Sequence, residues 1–474
     1  MVRSGRLAAP PFDSTPMSGV AAYNFELPTT GSLSFADHFS NGSDVYTAQI
    51  SDATQARANL RAILKESRHT DGDKDYLRLV KILEEYLPHL YAIINCVASG
   101  DLVQTQDPSF SWRTTLSAHL FNNSPRLSLP SLPSDLIFTL LTYGFALSNL
   151  ARLNAVALGA YERERGISDV ERKAKDEKLG FAVTLLCRAS GLFEHVSTTV
   201  IPCAEQTPGW HTGRARPPEL SKEVALALSK LALASAQALA IRKLMTKSSY
   251  DSIVTPGPPL PASHPSPALL AKLHLEASTL CASAESLLRI PASRKNDMDV
   301  AEPLLHYAHD GAALHGALAR KWLGADAGAN DATGVAVGFL GWAKHELDSL
   351  RDGGVRPLGV RKEDERRDRR EHIAAEAEVA AQFLRYYTRM NDTVSFQPVP
   401  SQADLQTRVP AGRLAIASKA FAIPTPAFGP GSVEYIRKHA DSLDLASSEE
   451  SEDDQPSTTS PTGGPSYAGA GSYF

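Results

Sequence analysis

Between Ala48 and Tyr387 the apolar residues of this chain recur three and four positions apart, the spacing of one helix face, in segment after segment. The pattern predicts helices over about 48–66, 74–97, 134–163, 168–200, 220–247, 267–288, 300–323, 334–350 and 362–387. In the second of these, Leu77, Val80, Leu83, Leu87, Leu90 and Ile94 fall on one stripe, and Pro88 is expected to bend it. Ser134 stands where an N-cap is needed for the third. Ala and Ser fill segments such as LALSKLALASAQALAIRKL, which lets helix axes approach closely and pack in layered pairs.

Strand-like alternation is confined to YNFELPTTGSLSFADHF, from Tyr23 to Phe39, where Pro28 and Gly31 permit a short strand pair or an extended stretch. The expected class is therefore mostly α, a superhelical array of packed helices with one small N-terminal β element. No strict repeat of about 34 residues is present, so any likeness to tetratricopeptide arrays is one of architecture. Residues 1–20 are rich in Ser, Pro and Gly with little to bury and are expected to be disordered. One folded unit over 21–430 follows, and then a disordered acidic, Ser-rich tail over 431–474. The connections at 204–218 and 251–266 are long and Pro-rich.

The formal charge of −5 changes little in this picture, because Asp441, Asp444, Glu449, Glu450, Glu452, Asp453 and Asp454 lie beyond the last cation, Lys438. Setting those seven aside leaves a body near +2, too weak a field to imply nucleic acid. Cys96, Cys187, Cys203 and Cys281 are far apart and form no C-x-x-C pair, which fits buried thiols in a reducing cytosol. No signal-peptide run and no stretch of about 18 apolar residues is evident, so neither secretion nor direct membrane insertion is expected.

The motifs of common chemistries are missing or incomplete. There is no G-x-x-x-x-G-K-[ST] and no G-x-S-x-G, and His345-Glu346 begins a zincin pattern that Ser349 ends. His306, His309 and His315 share a helix, but Asp310 falls on another face than His306, so surface or partly buried histidines are the simpler reading. Ser190 lies within a helical pattern, without the strained turn that would activate it, and reads as packing. RKEDERRDRR, Arg361 to Arg370, mixes both signs and reads as a solvated helix face. No catalytic, cofactor or metal residue is assigned, and a non-enzymatic protein is expected.

Several words of the sequence are more specific than this periodicity. YNFELPTTGSLSFADHF, EEYLPHLYAI from Glu84, SWRTTLS from Ser111, TLLTYGFALSNLAR from Thr139, LLCRASGLFEHV from Leu185, NDTVSFQPVP from Asn391 and KAFAIPTPAFGPGS from Lys419 resemble fungal pH-response regulators of the Bro-one, or Alix-like, domain family. The resemblance spans about Tyr23 to Gly431. It implies a curved array with a tetratricopeptide-like helix core and a small N-terminal sheet. It also implies an adaptor in ambient alkaline pH signalling that binds the C-terminal amphipathic helix of a Snf-type ESCRT-III subunit and helps recruit the complex that proteolytically activates a zinc-finger transcription factor. A plasma-membrane pH-sensing complex is a further implied partner. Cytoplasmic residence, with recruitment to cortical or endosomal sites through partners, goes with that role.

The family's docking patch is best matched by PALLAKLHLEA, Pro267 to Ala277, similar to a D-A-I-I-A-K-L stretch of Alix-like proteins. By that match Leu269 and Leu273 take the hydrophobic patch positions, Lys272 the polar rim, and a second position falls near Ala240 or Ile241, where the family's aromatic is absent. Four residues apart, Leu269 and Leu273 stand one above the other, as a groove for a partner helix requires. Periodicity alone sends these leucines to the core instead, because Leu270, Leu273, Ala277, Leu280, Cys281, Ala284 and Leu288 form one apolar stripe with Leu269 at its edge. The competing function is a peripheral membrane-binding helical scaffold.

Overall fold

The computed structural model describes residues 22–40, 45–69, 74–118, 125–164, 166–207, 210, 215–254, 258–294, 297–352 and 360–449. The expectations for residues 1–20 lie outside them, as do those for the tail beyond Glu449.

Helices α1 (Thr47–His69), α2 (Tyr76–Ser99), α3 (Leu132–Ala157) and α4 (Asp169–His195) form the first half of the array. A π turn at Val196–Val200 leads into the short α5 (Ile201–Glu205). The second half holds α6 (Lys222–Val254), α7 (Pro267–Leu288), α8 (Glu302–Ala329), α9 (Thr333–Asp352) and α10 (Val360–Met390). Each long helix packs chiefly on its neighbours in the chain, α4 on α6 and then α6 to α10 in succession. Nearest-neighbour packing of this kind is what makes a superhelical array rather than a closed bundle.

Segment ends are set by local chemistry. Ser131, not Ser134, caps α3, its Oγ accepting from the Ser134 amide, with Pro133 in the first turn. Ser168 caps α4 in the same way, and Gly100 closes α2 in the left-handed region at φ 83°. α2 runs as one helix through Pro88, and Leu77, expected on its apolar stripe, is half exposed.

Of the alternating segment only its last residue, Phe39, enters a strand pair, and most of the sheet lies beyond it. Phe110–Arg113 (β3) pairs antiparallel with Arg126–Leu129 (β4), and Phe39–Ser40 (β1) with Val103–Gln104 (β2). The segment from Tyr23 to Ser34 is extended but contributes only an isolated bridge, Thr30 to Trp112. Its alternation serves side-chain burial: Phe25 stacks on Phe145 at 4.6 Å, and the Asn149 side chain both accepts from the Phe25 amide and donates to its carbonyl.

A buried charge pair holds this end together. Asp135 accepts from the Arg57 guanidinium at 2.8 Å, from Trp112 Nε1 at 2.7 Å and from the Tyr86 hydroxyl at 3.1 Å. Arg57 also donates to Thr30 and lies over the rings of Phe110 and Trp112. One carboxylate thus joins α1, α2, α3, β3 and the N-terminal segment.

Three stretches, Leu132–Ala157, Asp169–Glu205 and Lys222–Ser249, are helical, long and apolar enough to cross a bilayer, contrary to the sequence expectation. In α3 89% of the apolar window is buried within the protein, so its hydrophobicity is that of a central core helix. Cys203 is exposed, against the expectation of four buried thiols. Beyond residue 430, where no structure is expected, α12 (Val433–Glu449) forms. Val433 and Ile436 are largely exposed, so this helix is held by local bonds, with Ser432 capping it and Lys438 paired to Glu434.

Candidate functional site

The proposed docking helix, α7, has the bounds the periodicity predicts, and its stripe of Leu270, Leu273, Ala277, Leu280, Cys281, Ala284 and Leu288 is buried. The patch residues divide. Leu273 is 3% exposed and Ile241 5%, and both belong to a compact cluster with Leu270, Trp322, Leu340, Phe383 and Tyr387. Contrary to an exposed docking face, both are turned towards the packed helices, because their positions continue the core stripes of α7 and α6. Leu269, like Met245 and Leu260, is partly buried at the edge of the same cluster, and Lys272 is exposed. Met245, Leu260 and Leu269 are thus among the partly open apolar residues at the rim of this cluster, and Ile241 and Leu270 are buried within it.

The neighbourhood is polar as well as apolar. His274 and His315 meet Nδ1 to Nδ1 at 3.0 Å on the buried faces of α7 and α8, so one ring donates and the other accepts. Burial, with His372 and Arg369 adding to it, pushes His315 down to about 4, and burial followed by His315 holds His274 well below its ordinary range. The pair is neutral at physiological pH. Lys321 pairs with Glu376 and lies 4.2 Å from the Trp322 ring, which His264 covers from the loop before α7.

Other candidates from the sequence are scattered. His306 and His309 are exposed and near Glu302 and Glu285, whereas His315 is buried, so the three are not brought together. Among the described residues no group of His, Cys, Asp and Glu has the arrangement of a metal site. Ser190 is buried, its hydroxyl 3.1 Å from that of Ser229. Arg369, in the mixed charge run, pairs with Asp310 at 2.9 Å.

Sequence reasoning missed the largest feature near the rim. After α10 the chain returns across the array as an extended strap, residues 396–432, interrupted by α11 (Gln402–Thr407). It meets the helices in reverse order. Gln397 accepts from the Gly334 amide on α9; the Arg413 amide donates to the Lys272 carbonyl on α7; Gln237 on α6 donates to the Arg413 carbonyl and accepts from the Ala415 amide. Further on, the Lys419 amide donates to the Cys187 carbonyl on α4, the Ala427 amide to the Pro88 carbonyl on α2, and Phe428 packs on Tyr46 at 5.4 Å. Gly191 makes this crossing possible, since a Cβ there would collide with the Lys419 carbonyl. The signal was present as IPTPAFGPGS, a Pro- and Gly-rich stretch without periodicity, but nothing in it says which helices it crosses.

Comparison with known proteins follows the same span. Residues 34–426 match the BRO1-like domain. The chain is 36% identical, over 95% of its length and 99% of the relative's, to the pH-response regulator protein palC of Cryptococcus neoformans. It is 24% identical to the protein of the same name from Emericella nidulans, over 88% of this chain and 90% of that one, and 24% to that from Yarrowia lipolytica, over 96% and 99%. Among solved structures it is similar to the ALIX BRO1 CHMP4C complex, with a TM-score of 0.56 and 16% identity over 86% of this chain and 97% of that one. It is also similar to ALIX in complex with the SIVmac239 PYKEVTEDL late domain, with a TM-score of 0.58 and 16% identity over 90% of this chain and 55% of that one. These two likenesses establish a curved helical array of the same fold.

Proposed function

The chain belongs to the BRO1-like domain family, and on that premise we propose that it is a non-enzymatic adaptor of ambient pH signalling which docks the C-terminal amphipathic helix of a Snf-type ESCRT-III subunit. The pH-response role rests on three relatives that bear that name and align over nearly their whole length. The partner class is supported by the likeness to an Alix BRO1 domain solved with CHMP4C. Recruitment to a plasma-membrane pH-sensing complex, from a cytoplasmic pool to cortical or endosomal sites, completes the reading.

The observation that carries the docking half is the rim of α6 and α7. Leu269, Met245 and Leu260 are partly open apolar residues packed on the cluster that buries Ile241 and Leu270, and Lys272, three residues along α7 from Leu269, is exposed. A helix laid there buries a few aliphatic side chains. At about 25 cal/mol per Å², less the cost of association, that gives micromolar binding, and an ESCRT-III polymer would add avidity.

The test separates rim from floor. Leu269→Asp and Lys272→Glu are expected to weaken binding of the ESCRT-III C-terminal peptide at least about tenfold with no change in unfolding midpoint. Leu273→Ala is expected instead to lower stability by about 2–5 kcal/mol through the cavity it leaves. Unchanged peptide affinity in a folded Leu269→Asp variant would overturn the assignment.

A further inference from the structure

At the opposite end of the array from the α7 rim, α1 carries Arg57, Arg61, Lys65 and Arg68 along one stripe. Arg57 turns inward to Asp135. The next three, with Arg126 of β4 and the backbone from Thr29 to Gly31, surround a surface pocket of about 230 Å³. Among the described residues no carboxylate pairs with Arg61, Lys65 or Arg68. Glu66, the acidic residue of this helix end, points to Arg78 instead. Asp71 and Asp73, which follow on the chain, fall outside the described residues.

The pocket is built, not a chance gathering of surface cations. Arg126 donates to Thr29 Oγ1 at 3.1 Å and Ser111 Oγ at 3.3 Å, which fixes its guanidinium and leaves its other donors for a ligand. The Gly31 amide and the Thr30 hydroxyl both donate to the Ser111 carbonyl, and Arg57 ties Thr30 to the buried Asp135. The lip is therefore anchored to the Arg57–Asp135 pair before anything binds, which lowers the cost of ordering a ligand there.

We propose that this pocket is a binding site for a compact ligand carrying two phosphomonoester groups, of the inositol polyphosphate class, either free or displayed as a lipid headgroup. Charge sets the number of phosphates, since one phosphomonoester carries about −1.5 to −2 at neutral pH and four cations balance two of them. Size favours a small ring over an extended chain, because the space is about 230 Å³. Guanidinium groups match phosphate oxygens in bidentate fashion, and three of the four cations are arginine. This site shares no residue with the α6–α7 rim and does not rest on the docking proposal.

The full chain is titrated calorimetrically with soluble inositol bisphosphate and, separately, sedimented with phosphatidylcholine vesicles with and without a phosphatidylinositol bisphosphate. The Lys65→Glu/Arg68→Glu variant, altered at exposed positions, is expected to bind the soluble ligand at least about tenfold more weakly, with an unchanged unfolding midpoint. The Lys173→Glu/Lys178→Glu variant makes the same charge change on α4 and is expected to bind as the unaltered chain does. Binding of both ligand forms assigns a headgroup site, and binding of the soluble form alone assigns a free ligand. The proposal is overturned if neither form binds, if both variants weaken binding equally, or if a phosphotyrosine peptide binds at this pocket and inositol bisphosphate does not.

Discussion

The two ends of the array are held together by different physics. Around β3 and α1 the core contains a buried ion pair and large aromatics, with Trp112, Tyr86, Phe110 and Arg57 almost wholly enclosed. Around α8 to α10 the cores are smaller and the axes come close through glycine: a Cβ on Gly328 would enter the Tyr387 ring, and one on Gly324 would reach Leu340. The first end must position irregular chain, the segment 22–34 and two short strand pairs, whose backbone groups are directional. The second positions chiefly regular helices, whose packing is set mainly by shape, with the Lys321–Glu376 pair and the strap's bonds to α7 and α9 added to it. The lesson is that a hydrogen-bonded hub is placed where secondary structure cannot supply the register, and that each end has its own point of failure.

That contrast is broken most severely at the hub. Asp135→Ala leaves Arg57 buried and without its carboxylate, and is expected to cost about 3–5 kcal/mol in chemical denaturation, or to abolish soluble folded protein. An effect on the scale of a surface ion pair would refute the hub's role. Next in size is acid, which acts on the other end. His315 has a folded value of about 4, below the ordinary value near 6.5, so the unfolded chain takes up its proton first. Its neutral burial therefore stabilises fully above pH 6.5, and that contribution fades as pH falls towards 4, by about 3 kcal/mol at most from this ring. His372 and Arg369 oppose its charging, and His315, Lys321 and His372 oppose that of the neighbouring His274. His315→Asn is expected to flatten the fall in unfolding midpoint over that window, and an unchanged slope would count against it. The smallest effect is steric: Gly328→Ala is expected to cost about 1–3 kcal/mol by displacing Tyr387, whereas the same methyl at Gly341, with open space around it, should cost nothing measurable by thermal melting.

Much of the helical half of this description could be read directly from spacing. The bounds of α7 agree with the pattern to the residue, and those of α9 within two, because a stripe of apolar residues at helical spacing must be buried wherever the helix goes. The β elements were less legible. The alternation from Tyr23 to Phe39 records which side chains are buried, and the pairing that follows, β3 with β4, joins residues whose partners are set by Asp135 and Arg57 rather than by local preference. At the candidate site the same limit applies: Leu269 and Leu273 are indistinguishable by type, and a rotation of a few tens of degrees about α7 decides which is rim and which is floor.

The residues by themselves therefore determined that the chain is helical, where its long helices run, and that α7 carries one continuous buried stripe, since these depend on interactions within a few residues. Through its words the sequence also resembled the family that the comparisons bear out. Only the tertiary structure decided the course of the strap over α9, α7, α6, α4 and α2, the burial of Ile241 and Leu273, and the meeting of Arg61, Lys65 and Arg68 with Arg126. Each of these joins segments far apart in the chain through contacts that no local pattern encodes, because the energy that selects them comes from burial and hydrogen bonds formed only once the helices have packed.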